Sequence, residues 1–349
     1  MQMRRLLFVL ATIASCTSAG PPAPLWEEPP SPIPVGCCKE VDVVCPIDGT
    51  KFTAIRIESS NDWGGVDGDY CAHALGGAPI VFHAWTCPCC CYTGLAHRAE
   101  VDFAPARAER RNAILGKLRP RTLIRSDARQ CDIPGHAKFD LLAQCLLLAD
   151  APACDVANAW LWASWVVRVK GAIVLPGNPA WAAWRESHGL DLSPLELGKW
   201  INRATYDLDL IPHITMNLNR LKPADRRFAA LGAAWLARDH GENTEAMRWI
   251  AEVQRSPGLD DEIREACTRM TRSIMLEREY QAKALEQYER GLSETTHDDE
   301  ARSRIAYILG ELCRRLDRRE QASQWFDRAL VAADRDLRDL IACQKARMK

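Results

Sequence analysis

Two cysteine-bearing turns are the part of this chain best equipped for chemistry. The first reads Cys45-Pro46-Ile47-Asp48-Gly49-Thr50-Lys51-Phe52, and the second Cys87-Pro88-Cys89-Cys90-Cys91-Tyr92. A Cys-x2-Cys pair aims two sulfurs at one point, and two such turns supply the tetrahedral thiolate set that zinc prefers. Cys87 and Cys90 form one complete pair. In the other, Cys45 keeps its place and Asp48 stands where the second cysteine belongs, offering an oxygen ligand instead. Cys71 is an alternative fourth ligand, and Cys89 and Cys91 compete for the same position. His73, His83 and His97 read as ordinary surface or loop histidines.

Fifteen cysteines are present, and eight of them fall within residues 37 to 91. Such clustering signals metal binding or disulfides and not core filling. Three states stay open for this module: zinc-held, disulfide-held, or a metal-free ribbon. Adjacent Cys89, Cys90 and Cys91 do not readily pair with one another, so disulfides would have to reach Cys37, Cys38, Cys45 or Cys71. A thioredoxin-like use of Cys87 and Cys90 lacks the expected following helix.

The elements that must position these groups are legible as patterns. Phe52 to Ile57 alternates like a strand, Pro79 to Trp85 reads as a second one, and Asn61 to Gly68 is a polar, glycine-rich loop. Strand, long loop and strand would bring the two turns together. From about Phe103 the pattern becomes helical. Lys138 to Asp150 gathers Phe139, Leu142, Ala143, Leu146 and Leu147 on one face, and Cys154 to Val169 carries Trp160, Trp162 and Trp165 as core. Asp155, Arg168 and Lys170 argue against a membrane span there.

Ala246, Ala284 and Ala322 recur 38 residues apart. Each is followed on the same helix face by a large side chain (Ile250, Tyr288, Phe326) and then by a smaller one (Val253, Gly291, Ala329). With Leu309-Gly310 and Leu231-Gly232 ahead of them, these match the tetratricopeptide pattern of paired helices, clearest over 228–335. The period exceeds the usual ~34 residues, which predicts longer loops and a degenerate middle unit. Such repeats stack and bind a protein or peptide on their surface. A helical bundle without a ligand is the plainer alternative.

The N-terminus predicts export. Met1-Gln2-Met3-Arg4-Arg5 is a positive start, and Leu6 to Ala14 is an apolar run too short to span a bilayer. Ile13-Ala14-Ser15-Cys16 resembles a bacterial lipobox, which would leave Cys16 lipidated and the protein membrane-anchored on the periplasmic or cell-surface face. An ordinary cleaved signal or a misassigned start codon are the alternatives. Pro21, Pro22, Pro24, Pro29, Pro30, Pro32 and Pro34 make the following stretch an extended tether. The predicted order is signal 1–16, tether 17–36, cysteine-rich module 37–100 and helical region 103–349. The fold class is mainly α, with helical hairpin repeats preceded by a small β zinc-ribbon-like module.

These stretches together resemble an uncharacterised bacterial group, domain-of-unknown-function family 2225. The residues that carry the likeness are Cys45-Pro46, Gly49, Lys51-Phe52, Asp69-Tyr70-Cys71, Cys87-Pro88, Cys90 and Tyr92, then Lys138 to Cys145 and Leu231 to Arg238. The resemblance implies a zinc ribbon ahead of tetratricopeptide-like helices, over most of residues 37 to 335. It implies no activity. The chain departs from the group at Asp48 and in its export signal.

The formal net charge of −1 gives no whole-chain pull toward nucleic acid, so binding through the ribbon is a minor alternative. No phosphate loop, nucleophile elbow or catalytic triad is visible. The leading reading is a non-enzymatic, membrane-anchored scaffold with a structural zinc- or disulfide-held module. A metal- or thiol-dependent enzyme using the Cys87 and Cys90 cluster is its rival, and a cytosolic zinc-ribbon protein that binds protein or nucleic acid is the third.

Overall fold

Each cysteine turn closes its own β-hairpin. Strand β1 (Cys38–Val44) runs antiparallel to β2 (Lys51–Ile57), from Cys38 opposite Ile57 to Val44 opposite Lys51. Strand β3 (Ala84–Thr86) pairs in the same way with β4 (Thr93–Leu95). The two hairpins form separate two-stranded sheets. Two-stranded ribbons need help from outside to be stable, and buried side chains supply it. The Trp85 indole N–H donates to the Ile55 carbonyl at 2.8 Å, joining one hairpin to the other. Gln130 brackets the edge of β3, accepting from the Thr86 N–H at 3.0 Å and donating to the Thr86 carbonyl at 2.7 Å.

This corrects two sequence expectations. Pro79 to Trp85 is not one strand: Pro79–Phe82 forms a 3-10 turn, and β3 begins only after His83. Proline sits in the first turn of this short helix, where its fixed φ and missing N–H cost nothing. The turns are also not joined by strand–loop–strand pairing of β2 with β3.

The computed structural model describes residues 37–62, 65–74, 78–121, 123–171, 223–294 and 298–348. The expected signal, Cys16 and the tether lie outside these residues. Beyond the hairpins the described chain is mostly helical: α1 (Ala99–Asp102), α2 (Ala108–Ile114), α3 (Gly135–Leu148), α4 (Ala153–Gly171), α5 (Pro223–Asp239), α6 (Asn243–Gln254), α7 (Asp261–Glu294), α8 (Asp299–Arg315), α9 (Arg319–Ala329) and α10 (Arg335–Arg347). The protein is thus mainly α with a small β module at its front. Among the described residues no helix is long and apolar enough to cross a membrane.

The small–large–small spacing marks real helix contacts. Ala246, Ala284 and Ala322 are wholly buried, as are Ile250, Tyr288 and Phe326. Gly310 shows why a residue without a side chain is needed: a Cβ there would lie 2.6 Å from the Phe326 ring. Helices α5 and α6 form one hairpin and α8 and α9 another. Among the described residues the turns within these two hairpins, at 240–242 and 316–318, are short and not the longer loops expected. The extra residues go into α7, a single unbroken helix of 34 residues. Its sequence from Asp261 to Glu294 has no proline or glycine before Gly291, so nothing interrupts it. Ile263, Cys267, Met270 and Ile274 pack with α5 and α6, whereas Tyr280, Ala284, Leu285 and Tyr288 join a second core with α3, α4, α8 and α9.

Candidate metal centre

The two turns share one backbone design. In the first, the Cys45 N–H donates to the Thr50 carbonyl at 2.8 Å and the Gly49 N–H donates to the Cys45 carbonyl at 3.0 Å. In the second, Cys87 donates to Tyr92 at 2.8 Å and Cys91 to Cys87 at 3.0 Å. The fifth residue is left-handed in both, Gly49 at φ 79° and Cys91 at φ 64°. Gly49 takes that conformation freely, while Cys91 carries a Cβ penalty for it. Asp48 therefore occupies the position that Cys90 holds in the second turn.

Cys45, Asp48, Cys87 and Cys90 converge, with donor atoms all within 4.8 Å of one another. The Cys45 and Cys90 sulfurs are 3.5 Å apart, and the Cys87 sulfur lies 3.7 Å from each Asp48 carboxylate oxygen. Ligands 2.0–2.3 Å from a tetrahedral ion stand roughly 3.3–3.8 Å from one another, so these residues fit a metal of zinc's size. One Asp48 oxygen also accepts the Thr50 N–H at 2.9 Å, which fixes the carboxylate and suits it to bind through one oxygen. Beneath the turns Ile47, Tyr92, Ile114, Leu118 and Leu141 form a small apolar core. Arg111 Nε reaches the Ile47 carbonyl at 2.9 Å from α2 and braces the first turn.

The electrostatics match a thiolate centre. Hydrogen bonds from Cys45 and Cys90, with the N–H groups of Cys90 and Cys89, hold the Cys87 thiol down to about 3 against its burial. Cys45 is pushed up to about 12, first by its bond to Cys87. Cys90 is pushed higher still by its bonds to Cys45 and Cys87. For Asp48 burial works against ionisation, and the Thr50 backbone together with Cys45 and Cys90 overcomes it. Cys87 and Asp48 thus provide ready anions, and a dication would displace the protons on Cys45 and Cys90.

The remaining cysteines stand apart from this set. Cys89 is exposed, Cys91 half-buried, and buried Cys145 accepts the Thr93 N–H at 3.4 Å. Cys71, the alternative fourth ligand, belongs to a second cluster with Asp67 and His73. His73 is not a free surface histidine, for its Nε2 lies 3.0 Å from Asp67. This second cluster is poorly suited to a cation. Arg168 Nη1 already sits 2.5 Å from Asp67, and burial pushes the Cys71 thiol well above its ordinary value.

Asp67 and Asp69 instead open a buried ion network that sequence patterns did not reveal. Arg168 holds Asp69 with two bonds, at 2.9 and 2.6 Å, and donates its Nε to Glu277 at 2.9 Å. Arg238 and Asn243 meet the other oxygen of Glu277. Arg315 bonds Glu311 at 2.7 Å and approaches Asp69 at 3.4 Å. Arg168, Asp69, Glu277, Arg238, Arg315 and Glu311 have no exposed side-chain surface. Tyr307 adds a bond from its hydroxyl to the Gly68 carbonyl at 2.5 Å. The loop behind the first hairpin is therefore clamped to α4, α7 and α8. No local signal marks this, since partners lie about a hundred or more residues apart.

Acid should release the clamp. Burial opposes ionisation of Asp67 and Asp69, but His73 and Arg168 hold Asp67 low, and Arg168 and Arg315 hold Asp69 low. Because their folded values lie below their unfolded ones, the stabilisation is complete above about pH 4 and is lost as pH falls further. Urea unfolding midpoints should drop steeply below pH 4, beneath a shallower decline from about pH 6.5 to 4 set by His136, whose folded value burial holds down to about 4. A flat profile to pH 3 would contradict these carboxylates being ionised partners.

The family described as "Uncharacterized protein conserved in bacteria" (DUF2225) matches residues 39–275 and 204–348. The chain belongs to this family. The match covers both cysteine turns, the Asp67 to Cys71 loop and the helices that clamp it. No curated protein and no solved structure matches the chain. Within this DUF2225 chain, chemistry has to be read from the side chains themselves.

Proposed function

We propose that this protein is a non-enzymatic, membrane-tethered scaffold in which Cys45, Asp48, Cys87 and Cys90 hold a structural zinc ion. The observation that carries this reading is the convergence of four donors from two turns of matching backbone design. Bound zinc would cross-link the tips of the two hairpins above the apolar core that Ile47, Tyr92, Ile114, Leu118 and Leu141 form. Four protein donors fill a tetrahedron and leave no position for a substrate, which favours a structural over a catalytic ion. The helical hairpins, read as tetratricopeptide-like, would bind a protein partner on their surface. The lipobox-like Ile13-Ala14-Ser15-Cys16 supports an exported lipoprotein held by Cys16.

Elemental analysis with thiol counting, on full-length protein recovered from its bacterial membrane fraction, tests the centre. We expect one zinc per chain. Cys16→Ala should move the protein out of the membrane fraction while keeping its zinc; an unchanged distribution would overturn the anchor. The separation of 3.5 Å between Cys45 and Cys90 favours one second reading, a thiol redox centre. Metal-free protein with a reversible two-electron couple would establish that reading in place of zinc.

A further inference from the structure

At the far end of the helical region, α8, α9 and the turn after them enclose a pocket of about 280 Å³. Leu292, Ala306, Trp325, Val331 and Ala332 make its wall mainly apolar, and Val331 is 83% exposed at the rim. Two arginines line it, Arg302 from α8 and Arg328 from α9, together with one carboxylate, Asp299 in the first turn of α8. Most arginines nearby are committed: Arg304 pairs with Glu300, Arg290 with Glu294, and Arg314 with Glu242 and Glu311. Arg302 and Arg328 have no carboxylate partner among the described residues. Arg328 stacks over the Trp325 ring at 4.5 Å, which orients its guanidinium.

We propose that this pocket binds the carboxy-terminal end of a partner protein whose last residue is apolar. Two guanidiniums against the single Asp299 carboxylate leave the lining net positive and offer planar donors for an incoming carboxylate, and Trp325 with its apolar neighbours offers a seat for the terminal side chain. A terminal carboxylate beside an apolar side chain is the polypeptide chemistry that satisfies both halves of the pocket. The proposal deepens the scaffold reading by naming the chemistry of the partner, and rests on it for the existence of one.

The test uses the full-length protein and a fluorescein-labelled hexapeptide ending in valine, as free acid and as C-terminal amide, followed by fluorescence anisotropy. The free acid should bind at least about tenfold more tightly than the amide, as expected for loss of a charge-assisted pair. Arg302→Gln and Arg328→Gln should each bring the free acid toward the level of the amide. Both side chains are exposed, so unchanged thermal melting will show that the variants fold. Equal binding of acid and amide, or no effect of either variant, would overturn the proposal. So would binding of octanoate without binding of the peptide, which would make this a fatty-acid site. Failure here leaves zinc content and Cys16-dependent anchoring untouched, so the two readings fall separately.

Discussion

Arg168→Met should destabilise the protein by about 3–5 kcal/mol, the cost of breaking a buried ion pair from one side. Arg168 is wholly buried and touches Asp67, Asp69 and Glu277. Methionine fills much of the space but leaves Asp67 and Asp69 facing each other with only part of their compensation, from Arg315, His73, His240 and the Trp165 indole N–H. The urea midpoint measures the loss, and Arg125→Met at an exposed pair serves as the control that leaves it unchanged. Adding Asp69→Asn to Arg168→Met should recover part of the loss, because it removes one of the stranded charges, and the double-mutant cycle should show coupling. If Arg168→Met behaves like the control, the loop at residues 65–73 does not sit against the helices in solution.

Cys87→Ala should abolish metal retention. The substitution removes one of three sulfurs and leaves only Cys45, Cys90 and Asp48. Structural zinc contributes about 10–16 kcal/mol over four ligands, so each is worth roughly 2.5–4 kcal/mol, or roughly 100- to 1,000-fold in affinity. Asp48→Ala should weaken zinc by that order, whereas Asp48→Cys should strengthen it by restoring a fourth thiolate at a position whose backbone already matches Cys90. Competition with a chromophoric chelator reads all three. Amide hydrogen exchange over 45–50 and 87–92 should accelerate in Cys87→Ala while α8 and α9 stay protected. If Asp48→Ala binds zinc as tightly as the parent, Asp48 is not a ligand.

The features legible in the sequence were those with local signatures. A turn is written in consecutive residues, so Cys45 to Thr50 and Cys87 to Tyr92 announce their geometry, and the register of Asp48 against Cys90 follows from spacing alone. Helix faces are also local, and Ala322, Phe326 and Ala329 were readable for that reason. Cys71 was misleading because its residue type suits zinc, but burial beside Asp67 and Arg168 is a tertiary fact. Arg168 itself was readable only as a charge that argued against a membrane span. Nothing nearby in sequence says that it is neutralised by Asp69 and Glu277, 99 and 109 residues away. The strand expected from Pro79 onward failed because alternation cannot distinguish a strand from a 3-10 turn led by proline.

The unbroken α7 changes how the molecule should come apart. Arrays of helical repeats commonly unravel unit by unit, since each unit meets only its neighbours. Here 34 residues, about 50 Å of helix, belong to two cores at once. Melting either core frays the same rod that the other core needs. Helix α7 is a beam shared by two cores and not a link between them, so loss of either core should lower the stability of the other.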